Sequence, residues 1–464
     1  MFSRTSRTIR IRNIENDVSK DTIAAYADAL CEPHGQRKLL GIIPLINTGG
    51  KRLVSLAPQS GRQTATITFP SKRLKQKVAV TDHSDWSFDD TFNDLTVLHV
   101  APELELDICF VHGLNGNAFD TFAWEGGQMW PRDFLPTHPQ LRNSRIMTYG
   151  YSSLLNDSAN TTGVVEWASG LLRAVSSVRE SPEERSRPII FVCHSLGGLV
   201  AREAMLELNR DARLRKSRLY DGLEPQYCGL LFLATPHSGS LLGIWNDYLI
   251  QLAQLSGLRA RDFSQILGAF NGSSRISKRD FKLLDPPIPF ECLYETRKMR
   301  VGAGKEIIVT AEAASMNDVA AEAMSDVDHT HICRFPNQTH SGYDQVCRCI
   351  LRIQRKISIA LSASKTGPGR DVLEPLADQP RPNDPASDGP SQHRPRYPAD
   401  AEQPSARRSV LQGGKATGGN ISFSGNKFDV GGGHAEGGSA DLAEGKNFYG
   451  SVEGGTGLGA TLRT

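Results

Sequence analysis

The sequence predicts an α/β protein whose main domain spans residues 103–361, with a mostly parallel sheet and helices on both faces. A small α/β domain over residues 8–80 precedes it and a glycine-rich tail follows. Two observations carry the main-domain expectation. The apolar run Pro188-Ile189-Ile190-Phe191-Val192-Cys193-His194 turns at Ser195 and passes directly into the helix-type segment Leu196 to Met205. Further buried-type strands, Asp107 to Val111, Gly229 to Ala234 and Pro289 to Glu295, each end in a loop that carries polar residues.

The stretch Cys193-His194-Ser195-Leu196-Gly197-Gly198 reads as a nucleophile elbow, a serine held between small residues on a strand-to-helix turn. Cys193 stands at the first small position, where glycine is the more common residue; a cysteine is small enough to be tolerated. A serine hydroxyl is a weak nucleophile and needs a base to take its proton and an acid to orient that base. It also needs fixed dipoles facing the oxygen on which negative charge develops. The strand Asp107 to Val111 runs into His112-Gly113-Leu114, and such a turn supplies the second amide of an oxyanion hole. The two donors are assigned to the N–H groups of Leu114 and Leu196, and His112 is read as structural.

In elbow hydrolases the order along the chain is serine, acid, histidine. Beyond Ser195 the candidate histidines are His237, His329, His331, His340 and His434. His329 is taken as the base, because it sits near the end of the folded part, just before a last helix; His331, two residues on, is the alternative. Glu295 is the leading acid, at the end of the alternating strand Pro289 to Glu295. Glu312, after the strand expected at Glu306 to Thr310, and Asp328, beside the base, are its competitors.

Taken together, Phe110 to Leu114, Trp130 to Pro136, Arg145 to Tyr151, Cys193 to Gly198, Phe232 to Gly239, Leu293 to Glu295 and Asp328 to Phe335 resemble lipase-like serine hydrolases. The resemblance is to the SERAC-like serine active site proteins and to fungal serine-esterase-like proteins that also occur as N-terminal domains of NLR receptors. It covers about residues 103–361 and implies an α/β-hydrolase fold and hydrolysis of a carboxylic ester, with a lipid ester as the leading substrate. Ser195 would be the nucleophile, passing through an acyl-enzyme, with His329 as base. The spacing of Asp328-His329 to Cys333-Arg334-Phe335 follows the family's pattern, and the family's strand-end glutamate matches Glu295. The chain departs from the pattern at Thr310, where an acidic residue is frequent.

Outside these motifs the sequence is less specific. The 53 basic and 51 acidic residues nearly balance, which argues against dedicated nucleic-acid binding. Eight cysteines fall mostly in apolar strands without a disulfide framework. No cofactor or metal is expected, and no apolar run approaches the ~18 residues of a membrane span. A cytoplasmic location follows, with peripheral membrane contact compatible with it. Arg4, Arg7, Arg10 and Arg12 among serines and threonines leave mitochondrial targeting as a minor alternative.

In the N-terminal domain a strand at Thr8 to Ile14, a helix capped by Ser19, strands near Arg52 to Ala57 and Thr64 to Phe69, and a helix from Ser71 give a β-α-β-β-α order like that of an RRM. Its RNA chemistry is poor, since Phe69 is the only aromatic on the central strands. A structural or docking module is the better reading, with Asp82 to Thr91 as an ordered linker. Leu241 to Leu267 reads as an inserted amphipathic helical segment, and Tyr343 to Leu361 as the last helix of the domain.

Nine of the 25 prolines lie between Pro368 and Pro404, so residues 362–412 read as a disordered linker. Residues 413–464 hold sixteen of the 43 glycines as a low-complexity tail. Its alternating islands, Asn420 to Val430 and Lys446 to Gly450, have the pattern of cross-β ladders. Some fungal relatives resemble a design in which such a tail templates signalling from an NLR partner. The resemblance therefore implies self-association or an NLR-type partner for the tail, and a fungal immune or cell-death effector role. The alternatives are a signalling adaptor controlled by tail-driven assembly, or a catalytically dead scaffold.

Overall fold

The computed structural model describes residues 6–31, 53–76, 85–125, 127–153, 163–214, 219–237, 278–301, 304–316 and 319–365, together with short stretches of the tail between 410 and 463. The segment expected as an inserted helix at Leu241 to Leu267 lies outside the described residues, as does most of 362–412. Two compact units are present, Met1–Val372 and Leu373–Thr464.

The first unit is built on a seven-stranded sheet. In chain order its strands are β5 (Asp94–Val100), β6 (Leu106–Val111), β7 (Ser144–Gly150), β8 (Ile189–His194), β9 (Cys228–Leu233), β10 (Phe290–Glu295) and β13 (Glu322–Met324). Their spatial order is β13-β10-β9-β8-β6-β7-β5. Every pairing is parallel except that of the edge strand β5 with β7. Strands β6 and β8 lie side by side while β7 lies on the far side of β6. The chain therefore reverses its direction of travel across the sheet between them, and the carboxyl ends of β6 and β8 open a crevice. This is the α/β-hydrolase arrangement. β6 and β8 are buried along their whole length, the pattern of parallel strands covered on both faces.

The two faces have separate cores. On one side α4 (Val164–Ser176) and, after the short α5 (Pro182–Ser186), α6 (Leu196–Leu214) pack over Cys109, Val111, Phe191 and Cys193. On the other, α3 (Trp130–Asp133) and α8 (Ser341–Lys365) cover Ile108, Phe110, Ile190 and Val192. Val346, Ile350, Ile353 and Ile357 of α8 are fully buried, as their helical spacing predicts. Trp130 anchors this side, donating from its indole to the Cys333 carbonyl at 2.8 Å and standing perpendicular to Phe110.

The N-terminal residues form β1 (Thr8–Ile14), α1 (Lys20–Cys31), β2 (Leu53–Gln59), β3 (Arg62–Thr68), α2 (Lys72–Gln76) and β4 (Ser87–Asp89), in the antiparallel order β2-β3-β1-β4. Ser19 accepts from the Thr22 amide at the start of α1, and Ser71 does the same from Leu74 for α2. The stretch expected to be a linker holds the fourth strand: Phe88 sits opposite Ile11, while Trp86 packs edge-on to Tyr26. Phe69 belongs to the apolar core of this module, with Ile9, Ile11, Ile23 and Ala65.

The opposite face of this small sheet is polar yet buried, because it docks on the hydrolase segment. Arg10, 1% exposed, binds Asp89 through two nitrogens, Thr96 Oγ1 at 2.7 Å and the Asn93 carbonyl at 2.8 Å. Arg132 of α3 reaches Thr66 and Thr68 on β3. Gln59 accepts from the Val97 amide and donates to the Leu95 carbonyl, covering part of the free edge of β5. A face that RRM-type modules use for bases is thus occupied by protein.

Two further elements differ from expectation. The strand expected at Glu306 to Thr310 ends at Glu306, where β12 (Gly304–Glu306) pairs with β11 (Met299–Val301). Beyond it Ile308 and Val309 are buried, and Thr310 caps the short helix α7 (Ala311–Ala314) by accepting from the Ala313 amide. The antiparallel edge strand β5 was not foreseen; it lacks the long apolar run of its parallel neighbours. No helix among the described residues is long and apolar enough to cross a membrane.

Among the described residues of the second unit, eight short strands stack in parallel as three small sheets, β14-β17-β20, β15-β18 and β16-β19-β21. These are Val410–Gln412, Asp429–Gly431 and Val452–Glu453; Ala416–Thr417 and Ala435–Glu436; Ile421–Phe423, Ser439–Leu442 and Thr461–Arg463. Ala416 faces Ala435, and Ile421 faces Ala440. The register exposes a repeat within the glycine-rich tail: Gly413-Gly414-Lys415-Ala416-Thr417-Gly418-Gly419 recurs as Gly432-Gly433-His434-Ala435-Glu436-Gly437-Gly438.

Candidate active site

The crevice at the carboxyl ends of β6 and β8 is shaped by positions where no side chain fits. Ser195 follows β8 directly with φ 54°, the left-handed region that costs a non-glycine residue energy, and α6 begins at the next residue. The Ser195 amide donates to the Leu233 carbonyl at 2.9 Å and the Gly198 amide to the Ser195 carbonyl at 3.0 Å, which fixes the turn. A Cβ on Gly197 would lie 2.4 Å from the His112 carbonyl oxygen, and one on Gly198 would run into Thr235. Gly113 is as confined, its missing Cβ falling 2.9 Å from that of Ser195. The turn after β6 and the elbow after β8 therefore approach closely at Gly113 and Gly197, while Gly198 makes room for the Thr235 side chain beyond β9. Cys193 faces away into the core beneath α6, so its sulfur takes no part in the contact.

Ser195, His329 and Glu295 come from three different strand ends. His329 lies in the loop after β13, and its Nε2 is 3.1 Å from Ser195 Oγ. Its Nδ1 is 3.4 Å from Oε1 of Glu295, the last residue of β10. All three residues are buried. Glu295 Oε1 also accepts the Val309 amide at 2.7 Å, so backbone from the unpredicted turn before α7 orients the carboxylate. Leu196 opens α6, and its amide is one of the first four that have no carbonyl in their own helix. Leu114 is adjacent to Gly113, in the turn that abuts Ser195.

The alternatives are placed elsewhere. Asp328 Oδ1 accepts from the Thr330 amide and hydroxyl and from the His331 amide and Nδ1, so it organises its own turn. Partial burial raises its pKa, but the bonds from His331 and Thr330 outweigh that and hold it below the usual carboxylate range. His331 is half-buried, edge-on to Trp124. Glu312 is exposed on α7. His237 is buried against Arg202, which donates to its Nδ1 at 3.2 Å. His340 Nδ1 accepts from the Gly342 amide, and His434 lies outside the described residues.

His112 is fully buried, and both ring nitrogens are engaged. Its Nε2 accepts from the Tyr151 amide, so Nδ1 carries the proton and donates to the Gly113 carbonyl at 2.8 Å. The Tyr151 ring stacks on it at 4.3 Å and its hydroxyl donates to the His112 carbonyl. The ring splints the turn that carries Gly113 and Leu114. His194, whose role the motif reading left open, also reaches the site: its Nε2 is 2.8 Å from the His329 carbonyl oxygen. The signal for it was a histidine closing an otherwise apolar strand.

Residues 105–274 match the family described as "Putative serine esterase (DUF676)". Protein SERAC1 of Danio rerio is 26% identical over 258 residues, covering 50% of this chain and 36% of the relative. That of Homo sapiens is 23% identical with the same coverage. The chain thus spans about a third of the length of the curated relatives it matches. Among solved structures, Bacillus licheniformis lipase BlEst2 aligns with 56% of this chain and 97% of its own at 14% identity and a TM-score of 0.35. A Burkholderia cenocepacia structure described as a putative aryl esterase aligns with 59% of this chain and 99% of its own at 17% identity and a TM-score of 0.32. Residues 105–274 are thus similar to a family described as a putative serine esterase.

Burial lowers the pKa of His112 to about 4. A histidine whose folded value lies below its unfolded value of about 6.5 adds stability that is present above that value and is lost as pH falls through the folded one. Stability measured by urea unfolding is therefore expected to fall between about pH 6.5 and pH 4. His112→Gln is expected to flatten part of that slope, and an unchanged slope in the variant would show that His112 does not contribute it.

Proposed function

We propose that this chain, whose residues 105–274 are similar to a family described as a putative serine esterase, hydrolyses carboxylic esters through Ser195, His329 and Glu295. The observation that carries the reading is the contact of His329 Nε2 with Ser195 Oγ at 3.1 Å while its Nδ1 faces Glu295, three residues delivered by three separate strand ends to one crevice. In this mechanism His329 takes the Ser195 proton as Oγ attacks the ester carbonyl. Glu295 holds the ring and stabilises the imidazolium, and the amides of Leu114 and Leu196 receive the oxyanion. The imidazolium returns its proton to the leaving alcohol, leaving an acyl-enzyme on Ser195. Water activated by the same histidine then releases the acid.

A lipid ester is the proposed substrate class. What supports it is the resemblance of residues 103–361 to lipase-like serine hydrolases. Hydrolysis of p-nitrophenyl esters of increasing chain length is expected to favour longer acyl groups and to vanish in Ser195→Ala. Glu295→Gln should lower kcat on the order of 10⁴-fold. Wild-type levels of hydrolysis in either variant would contradict the assignment.

A second reading concerns the tail and rests on a different observation. Corresponding strands of successive repeats stack in parallel with fixed register, as between Val410, Asp429 and their neighbours. Such stacking leaves unpaired strand edges that a further copy, or an NLR-type partner bearing a similar segment, could extend. We infer that the tail self-associates and that the hydrolase acts as an effector, in fungal immune or cell-death signalling, when assembled. A peptide spanning residues 410–464 is expected to form fibrils with a reflection near ~4.7 Å; a peptide that stays monomeric at high concentration would refute the reading.

A further inference from the structure

We propose that His194 is a positioning residue that sets the orientation of His329 through the main-chain carbonyl of His329 itself. The inference rests on reading Ser195, His329 and Glu295 as the reacting triad. Strand side chains alternate between faces, so with Cys193 turned into the core beneath α6, His194 points to the other side of the sheet. There its Nε2 meets the His329 carbonyl at 2.8 Å, with the two rings 5.1 Å apart. A carbonyl only accepts, so Nε2 carries the proton and donates. His194 is 8% exposed, and a histidine in so dry a place is retained against its desolvation cost.

The loop that carries His329 is tethered on both sides of it. The Val327 carbonyl accepts the Thr296 and Arg297 amides, and the Asp326 amide donates to Thr296 Oγ1. Six residues after Val327, the Cys333 carbonyl accepts the Trp130 indole, while Arg334 Nε donates to the Thr121 carbonyl. Between these anchors the backbone at His329 is held to the sheet by His194. The ring reaches Glu295 at 3.4 Å and Ser195 at 3.1 Å. Fixing the residue's own carbonyl sets the backbone from which it reaches both.

The chemistry also requires His194 to be uncharged. When His329 takes the serine proton it becomes a cation, and a second cation one ring away would oppose that step. Burial, with His329 and Arg334 nearby, keeps the pKa of His194 well below the ordinary histidine value. It therefore supplies a donor without a charge. The residue touches neither substrate nor the transferred proton, so its effect should appear in turnover and not in substrate binding.

The test uses the full chain with His194→Phe, which keeps a ring and removes the donor, and His194→Gln, which keeps a donor. His194→Leu replaces the Phe variant should that one fail to fold. Kinetics on a p-nitrophenyl ester are expected to show kcat lowered about 10- to 100-fold in Phe or Leu with KM within about twofold, and recovery to within about threefold of wild type in Gln. Hydrogen exchange across residues 326–335 should rise in the donor-less variants and return in Gln. Equal impairment of all variants, or full kcat without the donor, would overturn the proposal. Ser195→Ala and His329→Ala measured alongside separate the two failures: if these stay active the triad reading fails, and if they are inactive while the donor-less His194 variant is fully active only the positioning role fails.

Discussion

The contact on which the site depends is a backbone-to-backbone one, between the turn after β6 and the elbow after β8. Gly113 and Gly197 leave no room for a side chain between the two turns, since a methyl at either would meet a carbonyl oxygen or the Cβ of Ser195, and one at Gly198 would run into Thr235. The constraint follows from topology. Adjacent parallel strands that start their crossovers in opposite directions must part at their carboxyl ends, and the two turns can meet beside the Ser195 side chain only if they are thin where they part. The left-handed φ of Ser195 and the buried, doubly bonded His112 ring are what hold that geometry in place.

Around this contact the other groups are supplied by loops anchored on rigid elements. Glu295 ends a strand and is oriented by the Val309 amide; His329 is carried by a loop pinned at Val327 and Cys333. The N-terminal module joins the same framework. Its Ser6 bonds Asp120, in the segment that follows the Gly113 turn. Its Arg10 crosses to Thr96 on the edge strand, and Thr66 and Thr68 receive Arg132 beside Phe119. The module thus braces one wall of the larger domain, and the sheet face on which base recognition would need aromatic residues carries instead polar groups that meet these arginines and edge amides.

Much of this was legible in the residues. An apolar strand, a serine between small residues and an immediate helix specify an elbow because few other local structures tolerate that pattern. A strand ending in glutamate and a histidine before the last helix placed the remaining groups. What was not legible depended on contacts distant in sequence. The Val309 amide near Glu295 lies in a stretch rich in β-branched residues that reads as a strand, yet Thr310 caps a helix there and the backbone turns. Strand β4 was hidden because three residues bearing Ser87 and Asp89 carry little strand signal, and only pairing with β1 makes them one. The tail repeat was obscured by its glycines, whose abundance drew attention from their spacing.

The central claim is that Ser195 is the nucleophile of a working triad. It is tested most directly by reacting the folded chain with a fluorophosphonate and locating the adduct by mass spectrometry of the digested protein. The account predicts one phosphonyl group per chain, on the peptide containing Ser195, and none in His329→Ala over the same time. An unmodified folded chain, or an adduct on another residue that persists in Ser195→Ala, would contradict it.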